Sequence, residues 1–245
     1  MIFLKKILIY LYNSLYWFWL KPTRYNIMMG ASKENKKLLR LFSKYLSKDA
    51  KILDVGCGYG RFLKLLIEHG YQPLGIDTNM EIVNTNKNNN LPCIHSGELR
   101  PDQLYDVIIM SHIIEHFDPA SLLKFMNDYL LLLKPNGYLF ILTPHLTKQF
   151  YMDFDHVRPY TPYSIMMVFN EKQQIQYYGT HQLELKFLSH IRIPYNHRTI
   201  SYATQTYSVV YKGMIDLIGV LIYFVSLGTV RINTGWIGVF KKISK

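Results

Sequence analysis

Hydrophobic and polar residues alternate along the chain in two kinds of segment. Short apolar runs at residues 51–55 and 72–77 have the length and polar ends of buried strands. Longer stretches at 32–47 and 122–133 carry apolar residues at helical spacing, and Ser32 is a suitable N-cap for the first of them. This alternation predicts an α/β domain. The 245 residues are enough for one such domain with additions and too few for two.

A glycine-rich turn follows the first predicted strand. Asp54 lies near the end of that strand, and Gly56, Gly58 and Gly60 follow at alternate positions. Glycine lets the backbone turn sharply and approach a ligand, and the helix that follows directs free N–H groups at a bound molecule. The spacing differs from the G-x-G-x-x-G of dinucleotide folds, which argues against a nicotinamide cofactor. Asp77 ends the next strand and is placed to accept hydrogen bonds from a ribose diol.

These segments and two further ones resemble the class I S-adenosylmethionine-dependent methyltransferases over residues 51–165. Residues 105–117 resemble that family's fourth strand and its "EH" turn, and residues 133–144 resemble its "LKPGG" turn and fifth strand. Asn136 replaces the first glycine of that turn, and asparagine also enters left-handed conformations. The resemblance implies a Rossmann-like α/β fold, with helices on both faces of a seven-stranded sheet in the order 3-2-1-4-5-7-6. Its last, antiparallel strand is expected at residues 236–240.

The resemblance also implies S-adenosylmethionine as the cofactor. In that family the glycine turn holds the methionine part of the cofactor, and the second-strand acid holds the ribose hydroxyls. The residues expected to bind the cofactor are Asp54, Gly56, Cys57, Gly58, Gly60, Asp77, Thr78, Glu98 and Ser111. For the Cys57 side chain, packing is favoured over a reactive thiol.

Candidate catalytic residues follow the fourth strand, where an open α/β sheet has its binding crevice. His112, Glu115 and His116 fall on one side of a helical turn, and His156 lies on a later loop that could cover the crevice. Methyl transfer requires an aligned acceptor and, for a hydroxyl, a group that removes its proton. His116, His156 and Glu115 are therefore the catalytic candidates, and Tyr160 is expected to face the acceptor.

The same residues admit a metal-binding interpretation. Some ubiquinone-pathway O-methyltransferases and small-RNA 2′-O-methyltransferases bind a divalent ion with a similar E-x-x-E-H arrangement and a later histidine. Here His112 replaces the first glutamate, so no metal is expected, and a site of His112, Glu115, His116 and His156 is the less favoured alternative. A third interpretation is that Glu115 and His116 only orient the turn.

Residues 1–31 are predicted to form a membrane-associating segment, and residues 32–245 the methyltransferase domain. Apolar residues recur at helical spacing from Leu4 to Phe18, with Lys5 and Lys6 opposite. The uncharged stretch is shorter than the roughly 20 residues that span a bilayer, which predicts an amphipathic helix at the membrane surface. The alternative is a helix packed on this protein's own core or on a dimer partner.

A second charge-free apolar run extends from Leu217 to Val230, in an insertion at about residues 205–232. It too is shorter than a bilayer span, which favours an interfacial hairpin or a buried helix. A transmembrane helix that recruits Met214 and Ile215 is the remaining alternative. Two weak membrane contacts would add into stable peripheral attachment.

Net charge and composition limit the kinds of molecule that the protein is expected to bind. The formal net charge of +11 favours an anionic partner, and the aromatic content of 15% favours a membrane over nucleic acid. The two cysteines show no disulfide framework, which predicts a cytoplasmic protein, here at the inner face of the membrane.

Three functions are weighed. The first is a membrane-surface methyltransferase that acts on a hydroxyl of a lipid-linked, quinone-like or cell-envelope saccharide acceptor. The second is an RNA methyltransferase, against which the lack of an Arg/Lys stripe interleaved with aromatic residues argues. The third is a non-catalytic, methyltransferase-like binding subunit, against which the intact glycine turn, Asp54 and Asp77 argue. The acceptor atom and the oligomeric state stay open.

Overall fold

A seven-stranded sheet organises the computed structural model, which describes residues 22–147, 150–170, 176–195 and 209–243. The strands are β1 (Lys51–Val55), β2 (Gln72–Asp77), β3 (Cys93–His95), β4 (Tyr105–Ser111), β5 (Leu133–Pro144), β6 (Gln182–Ile193) and β7 (Ile232–Ile243). The helices are α1 (Pro22–Tyr45), α2 (Arg61–Glu68), α3 (Met80–Asn88), α4 (Pro119–Leu131), α5 (Pro162–Phe169) and α6 (Val209–Val225). The strand order β3-β2-β1-β4-β5-β7-β6, with β7 antiparallel to both neighbours, confirms the predicted Rossmann-like fold.

Both faces of the sheet are buried, because consecutive residues of a strand point to opposite sides. In β1, Ile52 packs with side chains of α1 and α2, whereas Leu53 packs with side chains of α4 and α5. Trp236 and Ile237 in β7 are divided between the two faces in the same way. The parallel strands β1 to β5 therefore end at one common edge, where their polar terminal residues and loops converge.

The first helix corrects a sequence prediction. α1 begins at Pro22 and is continuous past residue 32, so Ser32 lies inside the helix and is not its N-cap. Proline suits the first helical turn because its φ is already helical and it has no N–H to leave unpaired. α1 is thus continuous across the predicted boundary between the membrane-associating segment, residues 1–31, and the methyltransferase domain, residues 32–245.

Two asparagines show different influences on local backbone conformation. The asparagine-rich run at 84–90 lies largely within α3, which is helical through Asn88. Asn86 is fully buried within it and has a hydrogen-bond partner outside the helix, so packing overrides the weak helix propensity of asparagine. Asn136, by contrast, has the predicted left-handed conformation, with φ of 62°.

The C-terminal apolar run forms most of α6, which ends at Val225. Gly219 lies against the end of β6, since a Cβ there would be 2.0 Å from the Tyr195 carbonyl oxygen. Val220 is buried, but the opposite side of the helix is exposed, so the helix is not wholly buried. Within the described residues, no helix has both the length and the apolar character needed to cross a bilayer. The predicted amphipathic helix from Leu4 to Phe18 lies outside the described residues.

Candidate active site

The glycine turn after β1 lies at the edge where the strands end. Gly56, Gly58 and Gly60 have φ values of 65°, 52° and 73°. This is the left-handed region that favours glycine. A Cβ at Gly56 would lie 2.4 Å from Cδ1 of Ile113, so a side chain there would displace the loop after β4. A Cβ at Gly58 would meet nothing within 4 Å, so the turn is open on that side. Backbone at Gly58 is therefore accessible to a ligand.

Two polar side chains fix this turn. Asp77 Oδ2 accepts a hydrogen bond from the Gly58 N–H at 3.1 Å, and its Oδ1 accepts from the Asn79 N–H at 2.9 Å. Asn86 Nδ2 donates to the Gly58 carbonyl oxygen at 2.7 Å. Each oxygen of Asp77 keeps a further lone pair for a ligand hydroxyl. Sequence reasoning singled out Asp77 and missed Asn86, because nothing in a run of asparagines marks one of them as buried.

Asp54 is the most perturbed acid of the site. Its side chain is 1% exposed, and Oδ2 has no hydrogen-bond partner among the described residues. Burial raises the pKa of Asp54 to about 7, opposed by the Arg61 charge and assisted by the Asp77 charge. A cationic ligand beside this carboxylate would favour its ionised form. Asp54 is thus suited to hold a positively charged group.

The remaining cofactor-binding candidates occupy the same edge, except for one side chain. Thr78 is exposed just after β2, Ser111 ends β4, and Glu98 caps a 3-10 turn directly after β3. The Cys57 Sγ points inward and lies 3.4 Å from the Sγ of Cys93, and burial raises its thiol pKa. Packing, as expected, describes the Cys57 side chain, which leaves only its backbone to line the turn.

Glu115 anchors the other half of the site. It lies on the 3-10 turn Ile114–His116 and is fully buried, and its Oε2 accepts a hydrogen bond from Thr143 Oγ1 at 2.9 Å. Its carbonyl oxygen accepts from the N–H groups of Val157 and Arg158 at 2.9 and 3.1 Å. These bonds hold the loop after β5 against the turn after β4. Glu115 therefore positions both segments and has no exposed surface with which to touch an acceptor.

His116 and His156 are brought together on these two segments. Their ring centroids are 4.9 Å apart. The Nδ1 of His116 lies 3.0 Å from the Asp155 carbonyl oxygen, and the Nδ1 of His156 lies 2.8 Å from the Phe150 carbonyl oxygen. A carbonyl oxygen only accepts, so Nδ1 of each ring carries a proton and Nε2 carries the lone pair of the neutral form. Asp153 Oδ2 lies 3.6 Å from His156 Nε2, where it would stabilise a proton once accepted.

His112 is directed to two carboxylates instead. Its Nε2 lies 3.2 Å from Oε1 of Glu34, and its Nδ1 lies 3.4 Å from Oε1 of Glu115. Burial opposes the charged ring, but the hydrogen bonds and charges of Glu115 and Glu34 raise the pKa of His112 to about 9. Glu34 also pairs with Arg61 at 2.9 Å. Sequence reasoning missed Glu34, because nothing near it in α1 indicates partners so distant along the chain.

The alternative metal site is only partly assembled. The possible ligand atoms of Glu115, His116 and His156 lie within 4.8 Å of one another. His112 is unavailable as a ligand because each of its nitrogens faces a carboxylate, and its positive charge beside Glu115 opposes a second cation there. The residues present do not fit the four-ligand site, and we derive no step through a metal.

Tyr160 corrects a further expectation. It is 6% exposed, and its hydroxyl donates to the Phe117 carbonyl oxygen at 2.9 Å. Its own carbonyl accepts from Trp236 Nε1 at 2.8 Å. Tyr160 therefore ties the loop after β5 to the core and does not present its hydroxyl to an acceptor.

Comparison with known proteins identifies the family. A family model described as a methyltransferase domain matches residues 29–187, so the chain belongs to that family. The ubiquinone biosynthesis O-methyltransferases of Rickettsia akari and Pelagibacter ubique are 35% and 31% identical to it, over 47% and 43% of this chain and 48% and 46% of theirs. The chain thus spans about half the length of the curated relatives it matches.

Solved structures agree on the fold. A SAM dependent methyltransferase from Archaeoglobus fulgidus superposes with a TM-score of 0.56 at 21% identity, covering 86% of this chain and 94% of its own. The N-methyltransferase NodS from Bradyrhizobium japonicum, in complex with S-adenosyl-L-homocysteine, gives 0.53 at 14% identity and covers 87% of each chain. These superpositions show that the protein has the class I methyltransferase fold that the resemblance implied.

Proposed function

We propose that this member of the methyltransferase-domain family uses S-adenosylmethionine to methylate a hydroxyl of a lipid-linked, quinone-like or cell-envelope saccharide acceptor. The reaction takes place at a membrane surface, on the cytoplasmic side. The observation that carries this proposal is the exposed apolar face of α6 beside the edge where the strands end. The O-methyltransferase relatives support the choice of a hydroxyl acceptor.

The apolar face of α6 is continuous. Its members recur at spacings of three and four residues, which places them on one side of a helix. They are Met214, Ile218, Leu221, Ile222 and Val225, with exposed fractions of 55%, 52%, 44%, 44% and 85%. Leu227, in the turn that follows, is 84% exposed. A contiguous apolar patch of this kind marks a binding surface, and a lipid bilayer is the partner of matching chemistry.

α6 is also next to the site. Gly219 lies against Tyr195 just beyond β6, and Lys33 of α1 lies 5.3 Å from the ring centroid of Tyr223. α1 in turn reaches the candidate catalytic turn through the pair of Glu34 and His112. An amphiphile whose chain lies on α6 can therefore extend its head group toward the site.

The chemistry follows from the groups at this edge. Asp54, the glycine turn and Asp77 would hold S-adenosylmethionine, which supplies a methyl group on a sulfonium centre. Nε2 of His116 or His156 takes the proton of the acceptor hydroxyl as its oxygen becomes a nucleophile. The carboxylate of Asp153 stabilises the imidazolium that results at His156. Glu115 holds the two histidine-bearing segments together.

Isotopically labelled S-adenosylmethionine tests the acceptor class. The full chain is incubated with it and with either a bacterial lipid extract or total RNA, and the products are analysed by mass spectrometry. We expect the labelled methyl group in a lipid-extractable product, on oxygen. Label found only in RNA would contradict the proposal.

Vesicle co-sedimentation tests the surface. Replacing Ile218, Ile222 and Val225 by serine should weaken binding to anionic vesicles on the order of a hundredfold, at roughly 1 kcal/mol for each exposed apolar side chain. S-adenosylhomocysteine affinity should not change. The matched control is Leu131→Ser, since Leu131 is 63% exposed at the end of α4 and lies outside the apolar face of α6. Equal loss in the control, or none in the triple variant, would exclude α6 as the membrane contact.

A further inference from the structure

Basic residues lie where α1 meets the end of β6, outside the candidate catalytic and cofactor-binding residues. Lys33 Nζ donates to the Arg192 carbonyl oxygen at 2.6 Å. Lys37 Nζ donates to Ser189 Oγ at 2.7 Å and to the His190 carbonyl oxygen. Arg231, just before β7, donates to the Gly228 carbonyl oxygen at 2.7 Å and acts electrostatically on His190. We refer to Lys33, Lys37, Arg192 and Arg231 as the cationic cluster, and His190 lies among them.

The positive charges in the cationic cluster repel one another and lower the pKa values of the groups among them. Burial and the charge of Lys37 lower the pKa of Lys33 to about 8. Burial and the charge of Arg192 lower the pKa of Lys37. Burial and the charges of Arg192, Lys37 and Arg231 lower the pKa of His190. Hydrogen bonds to carbonyl and hydroxyl oxygens satisfy some donors but neutralise no charge, and each lysine has further N–H groups to donate. The cluster therefore has the charge and the donors to hold an anion.

The acid nearest in sequence does not serve as that anion. Glu34 follows Lys33 directly, but its carboxylate pairs with Arg61 at 2.9 Å and with His112 at 3.2 Å. The helix thus directs one charge to the catalytic side and its basic neighbour to β6. Among the described residues, Glu34 therefore does not neutralise the positive charge of Lys33 or Lys37.

The cationic cluster lies between α6 and the histidine pair of His116 and His156, both of which the proposed function uses. On one side, His190 Nδ1 is 2.9 Å from Nε2 of His145. His145 lies two residues beyond Thr143, roughly 7 Å along the chain, and Thr143 bonds Glu115. On the other side, Lys33 lies over Tyr223 of α6. Tyr223 is on the opposite side of α6 from its exposed apolar face, so an anionic group here would sit between α6 and the histidine pair.

We propose that the cationic cluster binds a phosphate ester or diphosphate that joins the acceptor's apolar chain to its methylated head. This inference rests on the proposed function and specifies its substrate class. Several converging cations suit a multiply charged phosphate better than a single carboxylate, and Lys and Arg donate strongly to phosphate oxygens. The chain of such an acceptor lies on α6, its phosphate on the cationic cluster and its hydroxyl near His116 and His156.

Calorimetric titration of the full chain, saturated with S-adenosylhomocysteine, tests this assignment. The probes are farnesyl diphosphate, farnesol and inorganic pyrophosphate. We expect farnesyl diphosphate to bind at least tenfold more tightly than farnesol, and pyrophosphate to displace it. Arg192→Gln and Lys37→Gln should each weaken the binding of farnesyl diphosphate at least tenfold. The control Lys124→Gln, on α4 across the sheet and 83% exposed, should change it less than twofold.

Several results would overturn the assignment. Equal affinity for farnesyl diphosphate and farnesol would show that no anion is recognised. Parallel loss of S-adenosylhomocysteine affinity in Arg192→Gln and Lys37→Gln would show that these residues only attach α1 to β6. Displacement by phosphatidylglycerol vesicles at equal phosphate concentration would assign the site to bulk lipid instead of the acceptor. Tight farnesyl diphosphate binding without vesicle attachment would support the site and contradict only the membrane part of the proposed function.

Discussion

Replacing Asp54 with asparagine should stabilise the cofactor-free protein at alkaline pH and at the same time weaken cofactor binding. The carboxyl group is 1% exposed, and its Oδ2 has no hydrogen-bond partner among the described residues. The ionised form of this carboxyl group therefore costs free energy in the cofactor-free protein. Asparagine keeps nearly the same shape without the charge, so it removes both the cost and the attraction for a cationic ligand.

The magnitude follows from the pKa. Burial raises the pKa of Asp54 from 3.8 to about 7. The folded chain thus keeps a proton that the unfolded chain loses, so stability is full below pH 3.8 and falls as the pH rises to about 7. At ~1.4 kcal/mol per pKa unit, the loss above pH 7 is on the order of 4 kcal/mol, an upper bound because solvent can relax around the charge. At 2–4 °C per kcal/mol for a chain of this size, this upper bound corresponds to a rise in Tm of about 8–16 °C at pH 8.

Calorimetric melting of the cofactor-free protein at pH 5 and pH 8 measures this effect. The gain in Asp54→Asn should be less than half as large at pH 5, and S-adenosylhomocysteine affinity should fall at least tenfold. Asp106→Asn is the control of opposite sign. Burial raises the pKa of Asp106, but hydrogen bonds and the Lys134 charge, 2.7 Å away, lower it overall, so this variant should lose stability at pH 8. A gain in Asp54→Asn that does not depend on pH, or a loss at pH 8, would refute the reasoning.

Other predictions concern the cofactor and the histidine pair. Asp77→Ala should weaken S-adenosylhomocysteine by ~1–3 kcal/mol in calorimetric titration, through loss of charge-assisted bonds to the ribose and of the bond that orients Gly58. Unchanged affinity would remove the ribose assignment. His116→Gln and His156→Gln should lower turnover by about a hundredfold or more, with S-adenosylhomocysteine affinity within twofold. A variant that keeps its turnover would show that its histidine only supports the fold. Activity should persist after exhaustive chelation, and its loss and recovery with added metal would restore the metal interpretation.

Features that act within a few residues were predictable from the sequence. The glycine turn requires left-handed φ at Gly56, Gly58 and Gly60, and this requirement is visible as glycine at alternate positions. Asp77 ends a recognisable strand, and β7 has the apolar pattern expected of a strand between two others. In each case a few neighbouring residues are enough to indicate the local backbone conformation that the fold requires.

Features that depend on distant partners were not predictable. Asn86 resembles its asparagine neighbours in sequence, yet it is buried and donates to the Gly58 carbonyl oxygen, 28 residues earlier in the chain. Ser32 has the chemistry of an N-cap, but helix formation upstream places it inside α1. His112 fits a metal-ligand pattern by spacing, and only the approach of Glu34 from α1 shows that its ring bridges two carboxylates.

Glu34 is therefore the residue that connects the two halves of the site, because its carboxylate pairs with both Arg61 and His112. Burial raises the pKa of Glu34, but the hydrogen bonds and charges of His112 and Arg61 lower it overall, so the side chain is ionised at neutral pH. Arg61 begins α2 directly after the glycine turn, and His112 continues through Glu115 to the histidine-bearing segments. The pair of contacts made by Glu34 fixes α1 over both.

Glu34→Gln should consequently lower stability and reduce S-adenosylhomocysteine affinity several-fold. We expect a stability loss of ~1–2 kcal/mol, less than for a fully buried pair, because Arg61 and His112 are 39% and 42% exposed and water can solvate them. The control Glu184→Gln breaks an exposed pair with Lys186 and should change neither quantity. If Glu34→Gln matches wild type in melting and in titration, α1 is held by its apolar residues alone, and the charges between the cofactor turn and the histidine pair do not couple them.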